Sequence, residues 1–252
     1  MPQTLVLITG ANQGLGYSTA EQLAKTGKYH ILLGARTKSK AESAIQQLAS
    51  DPTIDSSTLT PLVIDANDDT SITAAAKSVS DQFGSLDILI NNAAISKPQD
   101  PNLSLRDNFR AVFETNVFGV AVIVDTFLPL LRASKYHDRR IVNVTTGLAQ
   151  MSVAYSPTSE YGARRTPLPV YRSSKAALNM LTAVEGVTLE KENILVVSTS
   201  PGYCRTNFTG GHGVKDASQG AMNIVRAATE GDPKTLLGTI VAEEYRVEDI
   251  GW

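Results

Sequence analysis

The chain has 252 residues, 42% of them hydrophobic, with 23 basic against 25 acidic side chains and a formal charge of −2. This length and apolar content suit one large α/β domain or two small ones, and the scattered, nearly balanced charge lacks the basic footprint of a nucleic-acid binder. A single cysteine, Cys204, excludes an intrachain disulfide framework and fits a reducing compartment.

The best apolar run, Val117 to Val124, falls well short of the roughly 20 residues of a membrane span. The apolar stretch Thr4 to Thr9 leads directly into a glycine loop and leaves no room for a signal peptide. The expected setting is therefore cytoplasmic, with neither membrane nor nucleic acid as a partner.

Short β-branched runs alternate with helical patterns along the chain. Leu5 to Ile8 reads as a buried strand and Gly14 to Lys25 as a helix, with Gly27 suited to its C-terminal end. Ile31 to Leu33 is a second strand, followed by a charged helix from Lys38 to Leu48. Leu62 to Ile64 is a third strand, with a helix from about Thr70 to Phe83. Asp87 to Ile90 is a fourth, and one long helical pattern runs from about Ser104 to Leu131. Arg140 to Val144 is a fifth strand, with a helix over roughly Val170 to Glu190. Ile194 to Val197 is a sixth, Asp216 to Thr229 a last helix, and Gly238 to Val241 a seventh strand. Continuous apolar strands separated by helices predict one doubly wound, seven-stranded parallel sheet with helices on both faces, a single-domain Rossmann fold. The stretch from Ala149 to Pro169 is irregular and longer than most connections in a compact domain, which points to function or disorder.

The first strand and helix are joined by Thr9-Gly10-Ala11-Asn12-Gln13-Gly14-Leu15-Gly16. This is the order of a dinucleotide site: strand, glycine turn, helix N-terminus facing the pyrophosphate. Gly10 permits the sharp turn, and Gly14 and Gly16 remove side chains where phosphate and helix approach. Far downstream, Tyr171 and Lys175 stand four residues apart, neighbours on a helix. A phenol beside an ammonium is a proton donor whose pKa the cation draws down from about 10. Chance alone supplies roughly a third of such a Tyr/Lys spacing in a chain of this composition, so its weight comes from its place downstream of the glycine loop.

These residues resemble the short-chain dehydrogenase/reductase family over essentially the whole chain. The loop from Thr9 to Gly16 matches the family's cofactor loop, and Asn91-Asn92-Ala93-Ala94 its Asn-Asn-Ala-Gly motif, with Ala94 in place of glycine. Asn116 matches its helix asparagine, Tyr171 and Lys175 its catalytic pair, and Pro201-Gly202 with Thr206 its Pro-Gly-x-x-x-Thr loop. The closing Gly251-Trp252 and the Leu-Leu-Gly-Ala-Arg run are similar to the carbonyl-reductase-like branch. The resemblance implies NADP(H) as cofactor, held by Gly10, Asn12, Gln13, Gly14, Leu15, Gly16, Arg36, Asp65, Ala66, Asn92, Ala93, Ala94, Tyr171, Lys175, Pro201, Gly202, Tyr203 and Thr206. It implies a small-molecule carbonyl or alcohol substrate, with Tyr171 as acid, Lys175 beside it, Asn116 holding a water and Thr146 polarising the carbonyl. Family members often pair through two long helices, so a homo-oligomer is also implied, although an insertion ahead of Val170 would obstruct that face.

Two departures from the family stand out. Its usual Ser-Ser is here Thr145-Thr146, which keeps a hydroxyl but adds a methyl and stiffens χ1. Ser152 is the alternative donor, and a plain strand end the alternative reading of both threonines. The segment from 149 to 169 looks inserted and is expected beside the substrate, together with 203 to 217, with a surface loop free of catalytic contact as the alternative; the aromatic Tyr155, Tyr161, Tyr203 and Phe208 suit an apolar or aromatic compound. Several other assignments have ordinary counterparts. Arg36, preceded by Ala35, suits a 2′-phosphate, yet surface arginines are common. Asp65 is expected at the adenine or, equally, at a helix N-cap. Asn116, flanked by apolar residues, needs a partner whether it is functional or structural. The histidines at 30, 137 and 212 show no metal or triad pattern. A cofactor-binding sensor or scaffold without turnover, and a biosynthetic isomerase or lyase on the same fold, are the alternatives to a reductase.

Overall fold

A computed structural model describes residues 3–98 and 100–242, so the closing Gly251-Trp252 pair lies outside the described residues. Seven strands form one parallel sheet: β1 (Thr4–Ile8), β2 (Tyr29–Ala35), β3 (Leu59–Val63), β4 (Ile88–Asn91), β5 (Arg139–Val144), β6 (Ile194–Thr199) and β9 (Ile240–Val241). Their spatial order is β3-β2-β1-β4-β5-β6-β9, every neighbour parallel. The order reverses between β1 and β4, which creates a crevice at the carboxyl ends of those two strands.

Because side chains alternate across a strand, each strand feeds two cores. Leu5, Leu7, Leu32 and Ile141 point to one face, against α3 (Asp69–Phe83), α5 (Gly119–Ala133) and α7 (Pro169–Leu189). Val6, Ile8, Leu33 and Val142 point to the other, against α1 (Gly14–Lys25), α2 (Lys38–Leu48) and α8 (Ala217–Thr229). The two-sided apolar strands thus bury against helices on both faces, as a parallel sheet requires.

Several boundaries differ from the sequence reading, each for a local reason. The third strand starts earlier, at Leu59, and contains Pro61. Proline is tolerated there because β3 is an edge strand with no neighbour on one side. The seventh strand is only two residues long, since Gly238 has φ +77° and cannot sit in a strand. The long helical pattern is broken: α4 (Leu105–Phe113) passes through a π-helical turn (Glu114–Phe118) into α5. This continuous stretch, 105–133, is long and apolar enough to cross a bilayer by length and composition, more than the sequence reading allowed. Its buried side chains Val120, Ile123, Val124 and Phe127 pack into the sheet's core instead. The region 149–169 contains a short helix, α6 (Met151–Tyr155), and α9 (Pro233–Leu236) precedes β9. The 203–217 loop carries two unexpected two-residue strands, β7 (Cys204–Arg205) and β8 (Lys215–Asp216), paired parallel.

The π turn brings Gly119 against the main chain beyond β3, where an added Cβ would collide with the Ala66 carbonyl. We expect Gly119→Ala to cost about 1–3 kcal/mol, the range for overpacking a close contact. At about 2–4 °C per kcal/mol for a domain of this size, thermal melting should register a drop of several degrees. An unchanged melting temperature would show that the chain at Ala66 yields freely.

Candidate active site

Parallel strands place all their carboxyl ends on one edge, and the candidate residues gather there. Gly10 to Gly16 follow β1, Arg36 follows β2, Asp65 and Ala66 follow β3, and Asn92 to Ala94 follow β4. Thr146 follows β5, and Pro201 to Thr206 follow β6. Tyr171 and Lys175 enter from the first two turns of α7.

The glycine loop is shaped by contact with the end of β4. Thr9 Oγ1 accepts from the backbone N–H of Asn92 and of Ala93, both at 3.0 Å. Asn92 Nδ2 donates back to the carbonyls of Thr9 (2.8 Å) and Gly10 (3.2 Å). Gly10 and Gly14 have φ of +65° and +57°, a region that favours glycine. A Cβ on Gly16 would lie 2.5 Å from the Gly10 carbonyl oxygen and 2.6 Å from Asn92 Nδ2. The first turn of α1 therefore lies against bare backbone, a cradle that side chains would fill, and this fits a dinucleotide's pyrophosphate. The 201–206 loop flanks it: a Cβ on Gly14 would meet Thr206 Cγ2 at 3.5 Å, and Asn207 Nδ2 donates to Gln13 Oε1 at 3.0 Å. Gly202, at φ +78°, makes the turn that brings this loop round. Asn12 and Leu15 are half-buried on the loop, while Tyr203 is exposed.

Arg36 is exposed at the end of β2 and forms no ion pair among the described residues. Lys38 pairs loosely with Glu42 at 3.6 Å. Asp65 is not a helix N-cap. That position belongs to Asp68, whose carboxylate accepts from Thr70 N and Ser71 N, while Asp65 Oδ1 accepts from Asn67 N at 3.0 Å.

Beneath the catalytic candidates runs a buried polar ladder. Asn91 Nδ2 donates to Asn143 Oδ1 (2.9 Å), Asn143 Nδ2 to Thr182 Oγ1 (2.9 Å), and Thr145 Oγ1 to Asn179 Oδ1 (2.6 Å). It ties β4 and β5 to α7. Thr145 thus faces α7, while Thr146 is half-buried and its hydroxyl oxygen accepts from Leu148 N at 3.2 Å. That bond leaves the hydroxyl proton free to donate. Ser152 is exposed on α6.

Asn116 sits in the π turn, fully buried and well bonded. Its Nδ2 donates to the Ile95 carbonyl (2.8 Å) and to Ser174 Oγ (3.0 Å), and its Oδ1 accepts from Ile95 N (2.9 Å). It therefore joins the chain after β4 to the Tyr/Lys helix. Sequence reasoning missed Ser174, Thr9 and Ile95, whose roles depend on contacts with residues far along the chain.

Tyr171 is half-buried, and its ring meets Phe208 edge-on at 5.6 Å between centroids. Lys175 is buried, with Nζ donating to the Val144 carbonyl at 2.7 Å. The electrostatics differ from the sequence expectation. Burial pushes the Tyr171 phenol up from its ordinary value and brings Lys175 down to about 7. Desolvation disfavours the charged form of each group, and it is the cause of both shifts. On the segment 149–169, Met151, Ala154, Tyr155, Ala163 and Arg164 line an open depression of about 560 Å³.

Comparison with known proteins places this geometry. The family model described as short chain dehydrogenase matches residues 4–216. The chain is 65% identical over 248 residues to the short-chain dehydrogenase anuI of Penicillium roqueforti, covering 98% of this chain and 97% of that protein. It is 29% identical to the NADP-dependent 3-hydroxy acid dehydrogenase of Schizosaccharomyces pombe, over 97% of this chain and 88% of that one. Among solved structures it resembles the NADPH-bound carbonyl reductase from chicken fatty liver, with a TM-score of 0.81, 26% identity and full coverage of both chains. With a family model spanning most of its length and a relative at 65% identity, the chain belongs to the short-chain dehydrogenase/reductase family.

Proposed function

We propose that the protein reduces a ketone or aldehyde to an alcohol with NADPH, or runs the reverse oxidation, using Tyr171 as the proton donor. The observation that carries this reading is Tyr171 itself: half-buried at the carboxyl edge of the sheet, one helical turn from Lys175, against Phe208 of the 203–217 loop. When bound, NADPH supplies the hydride that the carbonyl carbon takes up.

On this reading, Tyr171 gives its proton to the carbonyl oxygen as negative charge develops there, and in oxidation takes it back. Thr146, whose oxygen already accepts from Leu148 N, donates a hydrogen bond from its hydroxyl to the same oxygen and keeps its own proton. Lys175 works as the ammonium, lowers the phenol's pKa toward the range of a useful acid, and holds the cofactor's ribose. Both amide hydrogens of Asn116 are engaged, so a water that resupplies the proton would sit on its remaining Oδ1 lone pair or on a carbonyl loosened by the π turn. The NADP preference rests on Arg36, a planar cation with no ion-pair partner among the described residues, just beyond β2. The NADP-dependent dehydrogenase of fission yeast and the NADPH-bound reductase of chicken, to which the chain is similar, support it.

Tyr171→Phe should keep NADPH affinity within a few-fold and cut kcat at least about 10²-fold, the scale of a lost general acid. Stopped-flow or steady-state turnover with an accepted aldehyde measures it, and near-normal turnover would remove Tyr171 from the chemistry.

Arg36→Ala should weaken NADPH binding by about ten- to several-thousand-fold and leave NADH binding nearly unchanged, since only the 2′-phosphate engages charge-assisted hydrogen bonds. Dissociation constants for both cofactors at fixed salt test this. Equal losses would make Arg36 structural.

The buried lysine sets a pH dependence of stability. Its pKa falls from 10.5 to about 7 on folding. Below about 7 both states carry the proton, and the folded state bears the full cost of the buried charge. Between about 7 and 10.5 the unfolded chain binds more protons, so stability rises with pH. Tyr171, pushed up, acts in the opposite sense only above pH 10. Lys175→Met should therefore be more stable than the parent near pH 6, with the gap closing toward about pH 9.5. Denaturant midpoints across that range decide it, and a flat gap would mean an ordinary lysine.

A further inference from the structure

The insertion before α7 is folded upon itself. Ala163 N donates to Ala154 O (3.0 Å), Gly162 N to Ser159 O (3.1 Å) and Thr166 N to Gly162 O (2.9 Å). Arg164 Nη1 donates to Tyr155 O at 3.2 Å, and Thr166 Oγ1 to Glu160 O at 3.2 Å. Gly162 is so close to its neighbours that a Cβ would lie 2.6 Å from the Ser156 carbonyl oxygen. These bonds make a compact cap whose surface carries the open depression lined by Met151, Tyr155 and Arg164.

Among the described residues, one side chain of α7 hydrogen-bonds to the cap. Arg172 follows Tyr171 on α7 and is 7% exposed. Its Nη1 donates to two cap carbonyls, Tyr161 O at 2.9 Å and Thr166 O at 2.7 Å. Its Nη2 is buried without a hydrogen-bond partner among the described residues. A buried, unpartnered N–H group costs stability and calls for an explanation. The turn into α7 carries a second cost: Leu168, a non-glycine residue, has φ +33°. Both unfavourable features lie where the cap meets the helix, and among the described residues the Arg172 guanidinium donates to the cap.

We propose that Arg172 is a positioning residue for substrate selectivity: it ties the cap to the turn of α7 that carries Tyr171, so that the depression holds the aromatic body of a carbonyl substrate in register with the phenol. The exposed Tyr155 and Met151 supply the apolar wall, and flat aromatic compounds are the class that such a wall retains. Because the tie acts on placement of the substrate body, its loss falls on KM for ring-bearing substrates and leaves the acid and the cofactor site in place. This inference rests on the reductase reading above.

The test compares kcat and KM for 2-naphthaldehyde and propanal at saturating NADPH, in the parent, Arg172→Met, Arg172→Lys and Gly162→Ala. Gly162→Ala strains the cap against the Ser156 carbonyl and leaves Arg172 in place, so it does not depend on how a buried arginine variant folds. We expect KM for 2-naphthaldehyde to rise about tenfold or more in Arg172→Met and Gly162→Ala, the scale of lost charge-assisted hydrogen bonds, with kcat within about twofold. Arg172→Lys, with one ammonium in place of the fork, should fall between the parent and Arg172→Met. Propanal kinetics and NADPH affinity should stay at parental values, and amide exchange at Gly162, Ala163 and Thr166 should quicken in Arg172→Met. Equal KM changes for both aldehydes, or a joint loss of kcat and NADPH affinity, would make Arg172 a general support of α7 and overturn the proposal. If the parent turns over neither aldehyde, the reductase reading fails by itself, and the tie is judged by exchange: unchanged protection in Arg172→Met overturns it.

Discussion

The site depends on the closeness with which the start of α1 meets the end of β4. Gly16 leaves no room for a Cβ between the Gly10 carbonyl and Asn92 Nδ2, at 2.5 and 2.6 Å. Asn92 can bond to the Thr9 and Gly10 carbonyls only because that space is bare, and Thr9 returns two bonds to the Asn92 and Ala93 amides. The four bonds bring the glycine turn to the switch point of the sheet, where the connections from the parallel strands β1 and β4 lead to opposite sides. A side chain at Gly16 would open this contact and move the helix N-terminus away from whatever anion it faces.

From that point the polar interior carries the geometry across to α7. A helix held by apolar packing alone can slide or rotate with little penalty, because dispersion contacts are non-directional. Here the Asn91–Asn143–Thr182 ladder, the Thr145–Asn179 pair and the Asn116–Ser174 bond fix its rotation and its height along the strands. Each of these groups is buried and would be costly to leave unpaired, so the register of α7 is set more sharply than its modest amphipathicity would set it. Asn116 has the further property of lying where the helix widens into a π turn, a place where backbone groups depart from the regular ladder.

What was legible in the sequence follows from the range of each signal. The glycine loop, the Tyr171/Lys175 spacing and the alternation of apolar strands with helices are local patterns, and α1 and α2 have the bounds the residues suggest. Strand ends were less legible where one residue contradicts its surroundings: Pro61 inside β3, tolerated at an edge, and Gly238, whose positive φ shortens β9. The N-cap of α3 belongs to Asp68 because its carboxylate, not that of Asp65, reaches the first-turn amides. Strands of two residues, such as β7 and β8, are too short to show a period. The cap was seen only as an irregular stretch, since its bonds run mostly to backbone carbonyls, which every residue type presents equally.

The electrostatic expectation misled for a related reason. Spacing puts a phenol and an amine on one helical face, and two such groups in water would be read by Coulomb attraction. Burial depends on everything else that packs around them and cannot be inferred from a five-residue motif. With Lys175 enclosed beneath β5 and its Nζ on the Val144 carbonyl, the cost of holding charge away from water dominates. The same enclosure strengthens any charge that the site does accept, since a low-dielectric setting amplifies an ammonium's effect on the phenol beside it. Enclosure thus sets both groups apart from their surface counterparts, with Lys175 brought down to about 7 and the Tyr171 phenol pushed up.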